Sequence, residues 1–307
     1  MSNKLVTWFI FIALCIIWGS SFILMKIGLY DSANRPLLTA FQVAAMRIFS
    51  AGVILFPFVI KQWKKIPFHL AGRIILSGLI GSFIPAFLFC IAETKIDSGL
   101  AGVLNALTPM FVILAGFFIY GKKVPHNKII GIILGLIGSV LLFLNQERHG
   151  MGELGYAGYI ILATILYGVN VNMVQQKLAH VPSIVIVSFA FSALIIPSAA
   201  ILWFTGYFRL PLSTTPYLIA TAASSLLGIM GTAVASIIFY MLLKRGGPVF
   251  ASLVTYGIPF VALGWGLVYK ETVTWGQIAS LLIILAGVYV ANIDWSYWKT
   301  KRMKAKE

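Results

Sequence analysis

Residues 98–123 read SGLAGVLNALTPMFVILAGFFIYGKK, and residues 248–271 read PVFASLVTYGIPFVALGWGLVYKE. Both stretches are apolar enough to lie in a bilayer. Each nevertheless holds polar residues and a proline near its middle: Asn105, Thr108 and Pro109 in the first, Thr255, Tyr256 and Pro259 in the second. A proline inside a membrane helix removes one backbone hydrogen bond and frees a carbonyl. The same device twice, half a chain apart, predicts two related halves with a site between them.

Composition sets the class. Of 307 residues, 60% are hydrophobic and only 10% are charged, with a mean hydropathy of +0.96. A soluble domain of this size has no interior large enough for that much hydrocarbon. The chain reads as an all-α polytopic membrane protein, with the lipid bilayer as its first partner. Ten apolar segments can be marked, near 5–29, 37–60, 69–92, 97–119, 127–145, 154–177, 183–205, 215–242, 248–269 and 275–294. Each is about long enough to cross, and no cleavage site follows the first, which reads as a retained helix.

The net charge of +15 does not indicate a nucleic-acid partner, because the basic residues sit in short loops and the tail. With the N-terminus in the cytoplasm, sixteen of the 23 lysines and arginines fall inside and five outside, and Lys26 and Arg47 lie within spans. That asymmetry predicts both termini in the cytoplasm. Asp31, Glu93, Asp97, Glu147, Glu153 and Glu271 then face outward. The tail WSYWKTKRMKAKE suits an anionic inner leaflet, as plain anchoring or as a lipid-sensitive switch.

At an offset of 150, Gly78, Gly81, Phe89, Ala101, Pro109 and Gly116 meet Gly228, Gly231, Phe239, Ala251, Pro259 and Gly266. At 149, Gly19 meets Gly168 and Ser21 meets Asn170. The expected halves are residues 1–149 and 150–307, five spans each. Five is odd, so the second half enters from the opposite side, giving two inverted five-helix repeats and an architecture for alternating access.

Arg47 is the sharpest chemical signal. It lies about ten residues into the second span, ~15 Å deep, where a charge costs at least ~2.5 to 3.5 kcal/mol. No span interior holds an Asp or Glu to neutralise it. Two readings stand: a ligand for a carboxylate or phosphate, or an arginine that caps freed carbonyls and ties helices together. Lys26 either snorkels to the interface or contacts substrate. Asn105, Thr108, Thr255 and Tyr256, beside Pro109 and Pro259, either line the pathway or bond neighbouring helices. Ser21 and Asn170 fall toward opposite sides, where two gates would be. Trp18 and Tyr167, at matching places, either close over a substrate or pack. The glycines of GIILG, Gly131 and Gly135, serve close packing or mark the face of a homodimer. Cys15 and Cys90 read as buried small hydrophobes.

The sequence holds no P-loop, no metal-ligand spacing and no intramembrane carboxylate or histidine relay. No cofactor and no catalytic residue are expected. Exchange, or movement down a gradient, is the favoured mode.

The motifs IIWGSSFILMK at 16–26, AAMRIFSAG at 44–52, residues 92–124 and residues 239–278 resemble the EamA family of the drug/metabolite transporter superfamily, across nearly the whole chain. The resemblance implies ten helices, a central cavity and export of amino acids or other small metabolites across a bacterial inner membrane. The family's Gly-Glu pair after the proline-bearing helix is absent from the first half, which reads Gly121-Lys122. The alternatives are an exchanger of anionic or phosphorylated metabolites, a membrane-embedded transferase, and a scaffold without solute flux.

Overall fold

Backbone polar groups in a bilayer must be satisfied within the chain, so apolar runs become helices. The computed structural model describes residues 3–62, 68–96, 98–145, 154–268 and 274–292. The described residues are helical apart from loops and one isolated bridge between Tyr30 and Pro36. Asp97, Glu147, Glu153, Glu271 and the basic tail lie outside the described residues.

The helices of the first half are α1 (Asn3–Leu29), α2 (Ala40–Gln62), α3 (Ala71–Gly78), α4 (Ile84–Ala92), α5 (Ser98–Asn105), α6 (Thr108–Tyr120) and α7 (His126–Leu144). Those of the second are α8 (Leu154–Lys177), α9 (Ser183–Ala193), α10 (Ile195–Phe204), α11 (Thr215–Gly228), α12 (Ala235–Ser252), α13 (Ile258–Val268) and α14 (Trp275–Asn292). Among the described residues, six stretches are long and apolar enough to cross a membrane: Lys4–Leu29, Ala40–Gln62, Phe68–Ala92, Gly155–Lys177, Ser183–Phe204 and Thr215–Val261. Thr108–Tyr120, His126–Leu142 and Trp275–Ala291 are shorter apolar helices.

Three of the ten expected segments are interrupted by a turn: 183–205 at Leu194, between α9 and α10, and the two proline-bearing segments near their middles. The one at 97–119 is split between α5 and α6. The one at 248–269 is split by the 3-10 stretch Leu253–Tyr256 ahead of α13. Pro109 and Pro259 stand in the first turn after these two breaks, where a missing N–H costs nothing. Each of the two also carries a threonine that bonds back three residues: Thr108 Oγ1 to the Asn105 carbonyl at 2.7 Å, and Thr255 Oγ1 to the Ser252 carbonyl at 2.9 Å. Expected segments 215–242 and 248–269 meet at Gly247, whose φ of 78° only glycine adopts without strain, with Pro248 starting the next turn. Gly121, at φ 61°, ends α6, and the Lys122 N–H bonds the Gly116 carbonyl at 3.0 Å.

A second irregularity recurs at the same place in both halves. The path from α3 to α4 widens to a π-turn at Leu79–Phe83, and the path from α11 to α12 does so at Ile229–Val234. Local causes differ. Pro85 supplies no amide in the first. In the second, the Thr232 hydroxyl takes the Leu227 carbonyl at 3.3 Å. An inserted side chain in the hydrogen-bond ladder opens a helix in this way.

The halves interlock. α1 packs on α11, α12 and α13, while α8 packs on α4, α5 and α6. Glycines permit the close approaches. Gly19 lies against Val261 and Gly168 against the Phe111 backbone; Gly78 lies against Ala190 and Gly228 against the Arg47 backbone. α7 and α14 pack glycine to glycine, with Gly131 against Gly287 and Ala291. The glycine face at Gly131 and Gly135 is thus occupied inside the chain. Gly135 receives the ring of Tyr256, whose hydroxyl donates to the Ile132 carbonyl at 2.8 Å.

The loop between α1 and α2 is held by Asp31. Its Oδ1 accepts from the Ala33 and Arg35 amides at 2.9 and 2.8 Å, and its Oδ2 pairs with Arg35 Nε at 2.7 Å. The Arg35 amide, first, and then the Arg35 side chain and the Ala33 amide hold its carboxyl below the usual range. A depressed pKa means the contribution to stability is present above the unfolded value and is lost as pH falls through the folded one. Amide exchange at Ala33 and Arg35 is therefore expected to speed up only below about pH 4, and Asp31→Asn to show the fast exchange at neutral pH.

Candidate functional site

α2 begins with a reciprocal cap. The Thr39 amide donates to Gln42 Oε1 at 2.9 Å and the Gln42 amide to Thr39 Oγ1 at 3.2 Å. Two turns on, Arg47 leaves the helix half-buried and turned to the second half. Its Nε donates to Thr232 Oγ1 at 2.5 Å. Neither terminal nitrogen has a protein acceptor among the described residues, and the ion pair found there, Arg35–Asp31, is in the loop between α1 and α2.

Arg47 faces a cavity between the halves. From the first half, Trp18, Ser21, Asn105 and Thr108 join it; from the second come Tyr167, Asn170 and Thr255. Counted as space open to the centre of a water molecule, its volume is about 110 Å³. A cavity of about 150 Å³ takes up one benzene, so the site suits one small solute. Its walls carry two matched aromatic pairs. Trp18 meets Phe239 at 5.2 Å between centroids, and Tyr167 meets Phe89 at 6.3 Å. These are equivalent positions, 149 and 150 residues apart. The polar contacts cross in the same way: Ser21 lies over Gly231, and Asn170 over Gly81.

The two ends differ in chemistry. Around Asn170, Nδ2 donates to Tyr240 Oη at 3.0 Å, and Tyr240 Oη lies 2.8 Å from Ser77 Oγ. Asn170 is 3% exposed, and its Oδ1 has no hydrogen-bond partner among the described residues. At the other end the positions matching Tyr240 and Ser77 are Cys90 and Leu227, and the indole of Trp18 donates to the Gly231 carbonyl at 3.0 Å instead.

The profile of the EamA-like transporter family matches residues 6–144 and again residues 155–293. This chain belongs to the EamA-like transporter family. It is a multi-pass membrane transporter. It is 27% identical over 298 residues to an uncharacterized transporter, YoaV, of Bacillus subtilis, covering 93% of this chain and 96% of that one. A probable amino-acid metabolite efflux pump of Salmonella typhimurium is 25% identical over 96% of this chain and 97% of its own. One from Escherichia coli is 26% identical over 90% and 82%. A solved crystal structure at 18% identity shares the fold, with a TM-score of 0.71 over 94% of this chain and 96% of that chain.

Four expected site residues of this EamA-like chain do not line the cavity. Lys26 is exposed in the last turn of α1, where a cation favours the helix C-terminus. Tyr256 is fully buried and turned to α7. Pro109 and Pro259 are buried beside the breaks they cause. The cavity also uses residues that the sequence did not single out, among them Thr232, Tyr240, Ser82 and Ser252. Phe89, Phe239, Gly81 and Gly231 were legible as repeat markers but not as lining. Their signal was recurrence at one offset inside apolar spans.

Gly81 tests this geometry. A Cβ there would run into the Asn170 amide, forcing it off Tyr240. The mirrored change, Gly231→Ala, meets the Ser21 hydroxyl at 2.7 Å and Leu227 Cδ1 at 3.1 Å, both ends of side chains that can rotate. Gly81→Ala is expected to slow solute exchange about tenfold and Gly231→Ala less than threefold, the loss of one buried hydrogen bond being worth about 1 to 1.5 kcal/mol. Counterflow rates of the two variants, side by side, check this.

Proposed function

We propose that this protein exports small amphipathic metabolites that carry a carboxylate, amino acids or close relatives, across a bacterial inner membrane. The observation that carries the reading is Arg47: a guanidinium whose terminal nitrogens have no hydrogen-bond acceptor among the described residues, in a cavity whose described lining holds no acidic side chain. A half-buried cation at mid-span with no ion pair among the described residues calls for an anion, and a carboxylate matches the fork in shape and charge. The aromatic pairs supply apolar walls and faces that attract an ammonium group. Efflux-pump names among the relatives agree with this direction of transport.

Movement is by alternating access of two inverted five-helix halves, ten crossings in all, with both termini in the cytoplasm. The double profile match, the paired π-turns and the crossed contacts of Ser21 and Asn170 support that arrangement. An exchanger of phosphorylated metabolites is the weaker reading, because among the described residues one cation lines the cavity and a phosphoryl dianion asks for more.

Counterflow in proteoliposomes tests the proposal. Vesicles are loaded with one unlabelled amino acid at a time, aromatic and branched ones included, and entry of the labelled form is followed. Faster entry for a subset is the expected result. No acceleration with any amino acid would defeat the reading, and activity that disappears with a chelator would favour a metal-dependent transferase.

A further inference from the structure

Arg47 does not reach the cavity as a free arm. Its Nε–H donates to Thr232 Oγ1 at 2.5 Å, and the same hydroxyl donates its proton to the Leu227 carbonyl at 3.3 Å. Thr232 is 2% exposed and sits in the π-turn Ile229–Val234. With its proton committed to the helix, the hydroxyl oxygen turns a lone pair to the guanidinium. A guanidinium has five N–H groups in one plane. Holding Nε fixes that plane and closes the side-on mode of pairing, which uses Nε and one terminal nitrogen. The end-on fork of the two terminal nitrogens stays open.

The backbone beneath is equally constrained. Gly228 lies directly against the Arg47 carbonyl and against Ser50 Oγ, which donates to the Met46 carbonyl of its own helix at 2.8 Å, so α2 packs closely on the helix that leads into the π-turn. The first half has no copy of this device. There Ser82 takes the place of Thr232, and Ala190 occupies the contact on Gly78 that Arg47 makes on Gly228.

We infer that Thr232 is the positioning residue of the anion site: it presents the end-on fork of Arg47 to one carboxylate and ties carboxylate binding to the π-turn of the second half. This rests on the reading of Arg47 as the carboxylate ligand. A site with no counterpart across the repeat takes its solute in one orientation, acid group toward α2 and the π-turn that follows α11.

The test is counterflow with phenylalanine and leucine as probes, and phenylalaninamide and leucinamide as carboxylate-free competitors. Thr232→Val keeps the shape and removes the hydroxyl. The expected result is a KM for the amino acids raised about tenfold, a maximal rate within about twofold of the parent, and unchanged inhibition by the amides. Thr232→Ser restores the hydroxyl and is expected within about threefold of the parent KM. A Thr232→Val protein with parental KM, while Arg47→Ala is inactive, overturns the positioning role and leaves the function standing. Thr232→Ser as impaired as Thr232→Val makes the residue a packing one and overturns the role as well. Parental kinetics in Arg47→Ala, or no response of the parent to either amino acid, overturns the function and this inference together. Should Thr232→Val fail to fold, Thr232→Ala decides. It removes the hydroxyl and leaves the Arg47 guanidinium whole, so a tenfold rise in KM with unchanged inhibition by the amides supports the role and parental KM overturns it.

Discussion

Arg47→Ala is expected to lower amino-acid counterflow about 100-fold while the protein remains folded. Removing one partner of a buried, hydrogen-bonded charge pair costs about 2 to 5 kcal/mol, and a factor of 100 corresponds to about 2.8 kcal/mol. The loss should appear in KM and not in assembly. The reason is that Arg47 gives the protein itself one hydrogen bond, to Thr232, and keeps its terminal nitrogens for the cavity. An arginine that merely capped carbonyls would show the reverse: loss of melting temperature, with transport by the surviving folded protein intact. Counterflow and thermal melting on one purified sample separate the two. Full activity in Arg47→Ala would make the residue structural and remove the main support for a carboxylate substrate.

The largest effect on stability is expected at Gly131. A Cβ there would stand 2.5 Å from the Gly287 carbonyl oxygen and 2.6 Å from both the Cβ and the amide nitrogen of Ala291. These are backbone atoms of α14 and its small side chain, so nothing flexible can move aside. Without a hydrophobic force between helices in lipid, packing contact holds such a pair together, and separation forfeits it. Gly131→Val is therefore expected to cost about 3 kcal/mol or more, the upper range for overpacking. That corresponds to a fall of about 6 to 12 °C in melting temperature, or failure to accumulate. Gly158→Val is the control, because a Cβ at Gly158 meets nothing within 4 Å. Equal melting of the two variants would show that α7 and α14 do not depend on this contact. The result also bears on the glycine face as a dimer surface: a face already filled by α14 and Tyr256 is not free for a second copy.

Arg47 was legible because a lone cation at mid-span has a cost that something must offset. Its partner Thr232 was not. A threonine in an apolar span carries no such signal, and its direction depends on the π-turn, which shifts the phase of every following side chain relative to a regular helix. Tyr256 shows the same effect from the other side. Its place beside Pro259 puts it next to the pathway in sequence. The 3-10 stretch Leu253–Tyr256 has three residues per turn, so the ring emerges toward α7 and packs on Gly135. Thr255, one residue earlier, faces the cavity. Asn170 and Ser21 were paired by their offset, but that they cross onto Gly81 and Gly231 of the opposite half required the packed helices.

Composition and pattern alone therefore determined a membrane-spanning, all-helical chain, the recurring intramembrane prolines Pro109 and Pro259, and a mid-span charge at Arg47. These are local consequences of hydrophobicity, of a missing amide and of the cost of burying charge. Which residues face the cavity was decided only in the tertiary structure. Facing is a matter of helical phase, and the phase is reset by π-turns and 3-10 turns whose position depends on what packs against them.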